Sequence, residues 1–231
     1  MSVSEKLTTI AENTERVYQA GKQKGRESFW DVFQENGVAK SYSYGFYRWN
    51  PDAFYPCHDI VVTGSLSQSF TFRGTPFDMA ERLRECGVRL DTSECLHFIW
   101  SFFQCACTRL PAIDTRSAAD LDNTFYEATE VVTIDKVILK SDGTQTFTNA
   151  FSYLNSLENI TFEGCIGTNG FKISNSTRLT HDSLMSIIGA LKDYSKNTDG
   201  TTYTVTLGAA NLAKLTDAEK EIATAKGWIL K

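Results

Sequence analysis

"NAFSYLNSLENITFEG", residues 149–164, sets apolar side chains at Phe151, Leu154, Leu157, Ile160 and Phe162, at intervals of three, three, three and two. The stretch therefore begins at a helical period and ends at a strand period. One helical turn followed at once by one short strand makes sense if the two are opposite sides of a single coil of chain. The neighbouring sequence supports this. A Phe followed nine residues later by Ile occurs in "FSYLNSLENI" (Phe151 to Ile160) and in "FYEATEVVTI" (Phe125 to Ile134). With one extra residue it recurs in "FFQCACTRLPAI" (Phe103 to Ile113), and "RECGVRLDTS" keeps the tail with Leu90 in the Ile register. Leu90, Ile113, Ile134 and Ile160 are thus 23, 21 and 26 residues apart. A period in the twenties that contains one strand is the mark of a leucine-rich-repeat solenoid, whose coils share a core that none could bury alone.

The fold class expected is α/β: a short, irregular solenoid with parallel strands, an N-terminal helix, and capping units at both ends. Residues 3–35 read as helix in two parts, with a thin stripe of Leu7, Ile10, Thr14, Val17 and Gly21 that would pack on the body or join copies as a homo-oligomer. Residues 41–75 are aromatic-rich and broken by Pro51 and Pro56; "DIVVTG" and "QSFTFRG" alternate as strands do. At the far end Thr180 caps "HDSLMSIIGALKDY", "TYTVTL" reads as a strand, and Thr216 with Glu219 forms a capping box ahead of a helix that Gly227 stops. The organisation expected is a helical leader (1–38), an aromatic β cap (39–75), and a solenoid with its C-terminal cap (76–231).

Bulk properties narrow the function. The 231 residues carry a net charge of −5 with no basic run, which removes the footprint of a nucleic-acid binder. The N-terminus is polar with no apolar core of a signal, and the patch around Phe98–Phe103 is too short to span a bilayer. Synthesis in a cytoplasm and no membrane insertion are the expectation. The six cysteines are then reduced thiols, mostly behaving as small hydrophobes.

"FYEATEVVTIDKVIL", "AFSYLNSLENITFEG" and "LTHDSLMSIIGALKDY" resemble BspA-type leucine-rich-repeat proteins, and more narrowly a group carried by phages and prophages of anaerobic gut bacteria. The opening "SEKLTTIAENTERVYQAGKQKGRESFWDVFQENG" is similar to a leader found before several bodies in such phage proteins. The resemblance implies a curved solenoid with a parallel sheet on one face, regarded as a surface-binding or adhesion module, and no catalytic residues. The chain departs from the family's Ala-Phe-x-x-Cys turn: Leu154 and Ala128 stand at the Cys position, and Cys107 keeps it only with an inserted residue.

Two surfaces are candidate sites. If Leu90, Ile113, Ile134 and Ile160 point inward, then Asp91, Asp114, Asp135 and Thr161 point outward in one column, with strands ~4.8 Å apart. Such a column would hold a cation or a basic partner. The plainer alternative, and the preferred one, is that each Asp accepts backbone N–H groups of the following turn, as "DTS" and "DTR" allow. The second candidate is an aromatic patch of Tyr44, Tyr47 and Trp49, against the alternative that these rings seal the open end of the stack. Cys57-His58 and Cys95-x-His97 match no zinc spacing, Cys105-Ala-Cys107 is no redox motif, and the glycines of "GCIGTNG" fit turns rather than a nucleotide loop. The functional expectation is a non-enzymatic binding module without cofactors, phage-encoded and virion-associated, that recognises a bacterial-surface or protein ligand. The alternative is an intracellular phage protein that blocks a host factor such as a defence enzyme.

Overall fold

The structure is a computed structural model, and it describes residues 39–41, 48, 54–56, 58–198 and 200–231. The helix and oligomerising stripe expected over residues 3–35 fall outside the described residues. The described strands are β1 (Ala39–Ser41), β2 (Ile60–Ser65), β3 (Phe77–Asp78), β4 (Leu90–Asp91), β5 (Cys107–Asp114), β6 (Thr133–Ile138), β7 (Asn159–Glu163), β8 (Tyr203–Val205) and β9 (Trp228–Leu230). The helices are α1 (Met79–Glu85), α2 (His181–Ala190), α3 (Ala209–Leu212) and α4 (Asp217–Ala225). Strand orders are β1-β2-β4, β3-β5-β6-β7 and β8-β9, and every pairing described is parallel. The chain is a mixed α/β structure with parallel strands and few helices.

The segments that return from one strand to the next are hydrogen-bonded to one another as well. Phe70 N donates to Ser101 O, Phe102 N to Thr124 O, and Phe125 N to Ala150 O. Each of these phenylalanines is buried, and they form a single stack. Ring centroids are 5.3 Å apart from Phe70 to Phe102, 5.3 Å from Phe102 to Phe125, and 5.4 Å from Phe125 to Phe151, with interplanar angles of 12°, 14° and 22°. Phe171 extends the row beyond Phe151 at 5.2 Å. The repeated "Phe…Ile" unit is therefore real, but its third copy is set differently from the expectation. Phe102, not Phe103, joins the stack, so Cys105 rather than Cys107 falls level with Ala128 and Leu154, with no insertion. All three side chains are buried.

The strand register differs in the same copy. Leu110 pairs with Ile134 and Ile134 with Ile160, whereas Ile113 pairs with Val137 and Leu90 with Ile60. The single interior row of Leu90, Ile113, Ile134 and Ile160 does not exist. β5 buries both Leu110 and Ile113, and pairing with β6 sets Leu110, not Ile113, level with Ile134. Between β6 and β7 the register slips as well: β6 places two residues, Asp135 and Lys136, between buried Ile134 and Val137, where β7 places only Thr161 between Ile160 and Phe162. A β-bulge of this kind inserts one residue on one strand and slips everything beyond it.

One apolar core runs from Phe54 to Trp228. Sheet pairing and ring stacking pass straight across the boundary drawn at residues 75 and 76, since β2 pairs with β4 and Phe70 lies on Phe102. "DIVVTG" is strand as expected. "QSFTFRG" is not: it is a tight turn with Gln68 at φ 53°, which delivers Phe70 to the stack. The helix α1 is inserted between β3 and β4, which lengthens the interval from Phe70 to Phe102.

The C-terminal elements close the sheet. Thr180 caps α2 by accepting from Ser183 N, and Leu184, Ile187 and Ile188 are buried beneath it. From α2 two hydroxyls serve the outer strand: Ile160 N donates to Ser183 Oγ at 3.0 Å, and Phe162 N donates to Ser186 Oγ at 2.8 Å. A strand edge left bare would template pairing with another chain. Here side-chain oxygens replace the missing strand. Lys226 Nζ donates to the carbonyls of Ile188 (3.0 Å) and Gly189 (2.8 Å) at the C-terminal end of α2. The capping box of Thr216 and Glu219 forms as the sequence indicates, and Gly227, at φ 85°, turns the chain into β9. Gly164 marks a close approach: with φ 91°, a Cβ there would stand 2.2 Å from Leu139 O.

Candidate binding surface

The residues of the expected acidic column are dispersed. Asp114 pairs with Ile138 at the far end of β6, beyond Asp135, and Asp91 pairs with Val61. Each carboxylate is also occupied. Ser93 donates to Asp91 Oδ1 from its N–H (3.1 Å) and its hydroxyl (2.7 Å), and Arg116 N donates to Asp114 Oδ1 at 3.1 Å. These are the turns that "DTS" and "DTR" allow. The same device recurs at Asp142, which accepts from Thr144 N, and at Asp193, which accepts from Ser195 N. The hydroxyl and N–H groups hold the Asp91 carboxylate below its ordinary value, and they act likewise on Asp142 and Asp193. Asp135 is paired with Arg109 at 2.6 Å, and on the next strands Lys136 meets Glu163 at 2.9 Å. Thr161 is exposed on β7. Opposite charges alternate across this face, so it presents no accumulated field.

Of the aromatic patch, Tyr44, Tyr47 and Trp49 lie outside the described residues. Its neighbours Phe54 and Tyr55 are described. Phe54 is buried against Phe70, Phe72 and Phe77, and the Arg82 guanidinium sits 4.2 Å above the Tyr55 ring. Cys95, Cys105 and Cys107 are buried, and burial pushes the Cys95 thiol up to about 11. Among the described residues no group of three His, Cys, Asp or Glu side chains could hold a metal ion, and no helix is long and apolar enough to cross a membrane.

The structure assembles a different aromatic surface, from residues to which the sequence assigns no binding role. Outside the phenylalanine stack runs a second row: Trp100, Phe103, Tyr126 and Tyr153. Trp100 meets Phe103 at 4.9 Å and Tyr126 at 5.5 Å, both edge-on at 84° and 78°. Tyr126 then meets Tyr153 edge-on at 5.4 Å and 82°. Tyr153 is 46% exposed, and Ile99, beside Trp100, is 38% exposed. Scattered exposed apolar groups are ordinary, but a continuous aromatic row across successive segments marks an interaction surface.

The backbone under this row is unusual. Trp100 (φ 61°), Asn123 (φ 57°) and Asn149 (φ 55°) each stand two residues before a stacked Phe, in the left-handed region. Gln104 (φ 49°), Glu127 (φ 55°) and Tyr153 (φ 62°) each stand two residues after one. Asparagine tolerates this conformation, whereas bulky aromatics adopt it at a cost of about 1–2 kcal/mol. Gln68 (φ 53°), two residues before Phe70, shares the conformation; the turn therefore imposes it, and at two of these seven places an aromatic is held there against its preference. Residues so held cluster at functional positions.

A polar row accompanies the aromatic one. Arg73 donates to Gln104 Oε1 at 2.8 Å, and Gln104 Nε2 donates to Glu127 Oε2 at 2.8 Å. Burial raises the Tyr126 hydroxyl above its ordinary value, and hydrogen bonding with Glu127 adds to this. The signal in the sequence was the residue adjoining each stacked Phe, aromatic in "FF" (102–103) and "FY" (125–126), but with Phe103 placed in the interior this outer row could not be read.

No family model, no curated protein and no solved structure matches the chain.

Proposed function

We propose that this chain is a non-enzymatic binding module built as a short leucine-rich-repeat solenoid of the BspA type, carried by a phage and displayed with its particle, where it recognises a bacterial-surface ligand. The observation that supports the binding role most directly is the outer aromatic row, Trp100–Phe103–Tyr126–Tyr153, which crosses successive segments and includes two aromatics in left-handed backbone. Parallel pairing at every described strand and the inner phenylalanine stack support the solenoid part of the reading. A rigid stacked body presents side chains at fixed spacing, so the row is pre-organised and little entropy is lost when a ligand settles on it. The balanced ion pairs on the strand face leave that side a supporting wall.

The test is co-sedimentation of the purified chain with bacterial envelope fragments, beside a Trp100→Asn variant. Asparagine already occupies the equivalent backbone position at Asn123 and Asn149, so the variant keeps the fold. Retention of the parent and at least tenfold weaker retention of the variant is the expected result. Equal retention of the two removes the aromatic row from binding. Immunogold labelling of purified virions tests the display part, and unlabelled particles end it.

A further inference from the structure

We propose that Asn169-Gly170 is a site of spontaneous deamidation, held in check by the C-terminal cap, and that its reaction keeps the cap open. Both residues of the dipeptide are exposed. Gly170 has φ 101°, and nothing lies within 4 Å of the place where a Cβ would stand. Glycine brings no side chain to hinder attack by its own nitrogen. The reaction needs only hydroxide and water. Hydroxide removes the Gly170 amide proton, and the nitrogen attacks Asn169 Cγ to form a cyclic imide. The Cγ–Nδ2 bond breaks, the leaving nitrogen takes a proton from water and departs as ammonia, and hydroxide is restored. Water then adds to either imide carbonyl and opens the ring. The product is aspartate or, with the main chain rerouted through Cγ, isoaspartate.

In the folded chain the Asn169 carboxamide is already engaged. Its Nδ2 donates to Thr202 O at 3.1 Å, and its Oδ1 accepts from Thr204 N at 2.8 Å. These are the two places that a strand residue's own N–H and C=O would fill in a parallel pair. The side chain thereby adds a rung between its segment and β8, ahead of the backbone rungs from Ile173 N to Thr206 O and from Thr206 N to Phe171 O. β8 in turn pairs with β9 from Tyr203–Trp228 to Val205–Leu230, with Val205 and Trp228 buried. Latching and reacting exclude each other. A carboxamide bonded at both atoms to β8 must leave it before its carbon reaches the Gly170 nitrogen, so the reaction draws on molecules in which β8 has opened locally. Neither product relatches as before. A carboxylate has no N–H, so its second oxygen meets Thr202 O as acceptor against acceptor, and isoaspartate also lengthens the main chain by a methylene. In a stacked array each unit is held by its neighbours. The damage therefore falls on β8 and β9 and spares β5–β7. The site is a one-way record of cap opening.

The experiment has two arms. In the first, the purified full chain is held at mildly alkaline pH, folded or unfolded in urea. Its peptides are mapped by mass spectrometry, so that Asn169 is read apart from Asn36, which also precedes a glycine. Conversion of Asn169 to aspartate and isoaspartate, at least tenfold slower in the folded chain than in the unfolded one, is the expected result. Subdenaturing urea should speed that conversion and the hydrogen exchange of the Thr204 amide by the same factor. Thr204→Pro, which removes the N–H that Asn169 Oδ1 accepts, should bring the folded rate to within severalfold of the unfolded one. No conversion in urea, equal rates in the two states, or conversion that does not follow Thr204 exchange overturns the proposal. The second arm reads the product's effect on Asn169→Asp. Amide exchange in β8 and β9 at least tenfold faster than in the parent, with β6 unchanged, supports the one-way step. Exchange that is unchanged, or raised equally in β6, overturns it.

Discussion

Two aromatic rows run side by side through this molecule, and they are built in opposite ways. The inner one, Phe70–Phe102–Phe125–Phe151, is fully buried, nearly parallel in its rings, and evenly spaced at 5.3–5.4 Å. The outer one mixes Trp, Phe and Tyr, meets largely edge-on, is partly exposed, and places two members in strained backbone. Both rows hang on the same turns, a residue or two apart. Tyr153 of the outer row is exposed, while Trp100, Phe103 and Tyr126 are half-buried against one another. The inner row shows what the stack needs to cohere, and the outer row shows what it carries in addition.

This contrast can be broken in graded steps. The largest effect belongs to the inner row. Phe125→Ala removes the central ring of the stack and should cost about 3–5 kcal/mol, read by denaturant unfolding. A loss below about 1 kcal/mol would mean that the stack is decoration. Next comes the close approach of backbones that keeps segments in step: Gly164→Ala places a methyl 2.2 Å from Leu139 O at φ 91° and should cost about 2–4 kcal/mol. Ser183→Ala leaves the Ile160 N–H facing an apolar methyl and should cost about 1–3 kcal/mol, with faster amide exchange confined to β7.

The outer row should respond with the opposite sign. Trp100→Asn relieves left-handed strain and should leave stability unchanged or raise it by about 1 kcal/mol, while ligand capture falls at least tenfold. A large destabilisation would place Trp100 in the core with the inner row and erase the distinction.

The smallest effect is on acid stability. Asp91, Asp142 and Asp193 are held below their ordinary value of 3.8 by turn hydrogen bonds. A carboxylate depressed in the folded state stabilises it fully above that ordinary value, and the contribution is lost as pH falls through the lowered one. Stability should therefore decline as pH falls below the ordinary carboxylate range, and Asp142→Asn should flatten part of that decline.

Legibility followed the range of the interaction. The capping residues Thr180 and Thr216, the Gly227 stop and the Asp-Thr-Ser turn were readable because each is completed within a few residues. The Phe…Ile unit was readable where its spacing is nine, at Phe125 and Phe151. It failed at Phe102, where "FF" offers two candidates one residue apart and only contact with Phe70 and Phe125 selects the first. The acidic column failed because β5 buries both Leu110 and Ile113, and only pairing with β6 shows that Leu110, not Ile113, stands level with Ile134. "QSFTFRG" has the alternation of a strand, yet its buried Ser69 and Thr71 are taken up by the turn.

The sequence by itself determined the repeat, the parallel character of its strands, the caps at the C-terminal end, and the absence of any basic run across the chain. Those properties follow from local spacing and charge, which are written in order along the chain. Only the tertiary structure decided which phenylalanine of a pair turns inward, where the register slips, and that Trp100, Tyr126 and Tyr153, 26 and 27 residues apart, come to lie in one row. Those outcomes depend on how each segment settles on the one beneath it, and a choice between adjacent residues of equal hydrophobicity is made by packing.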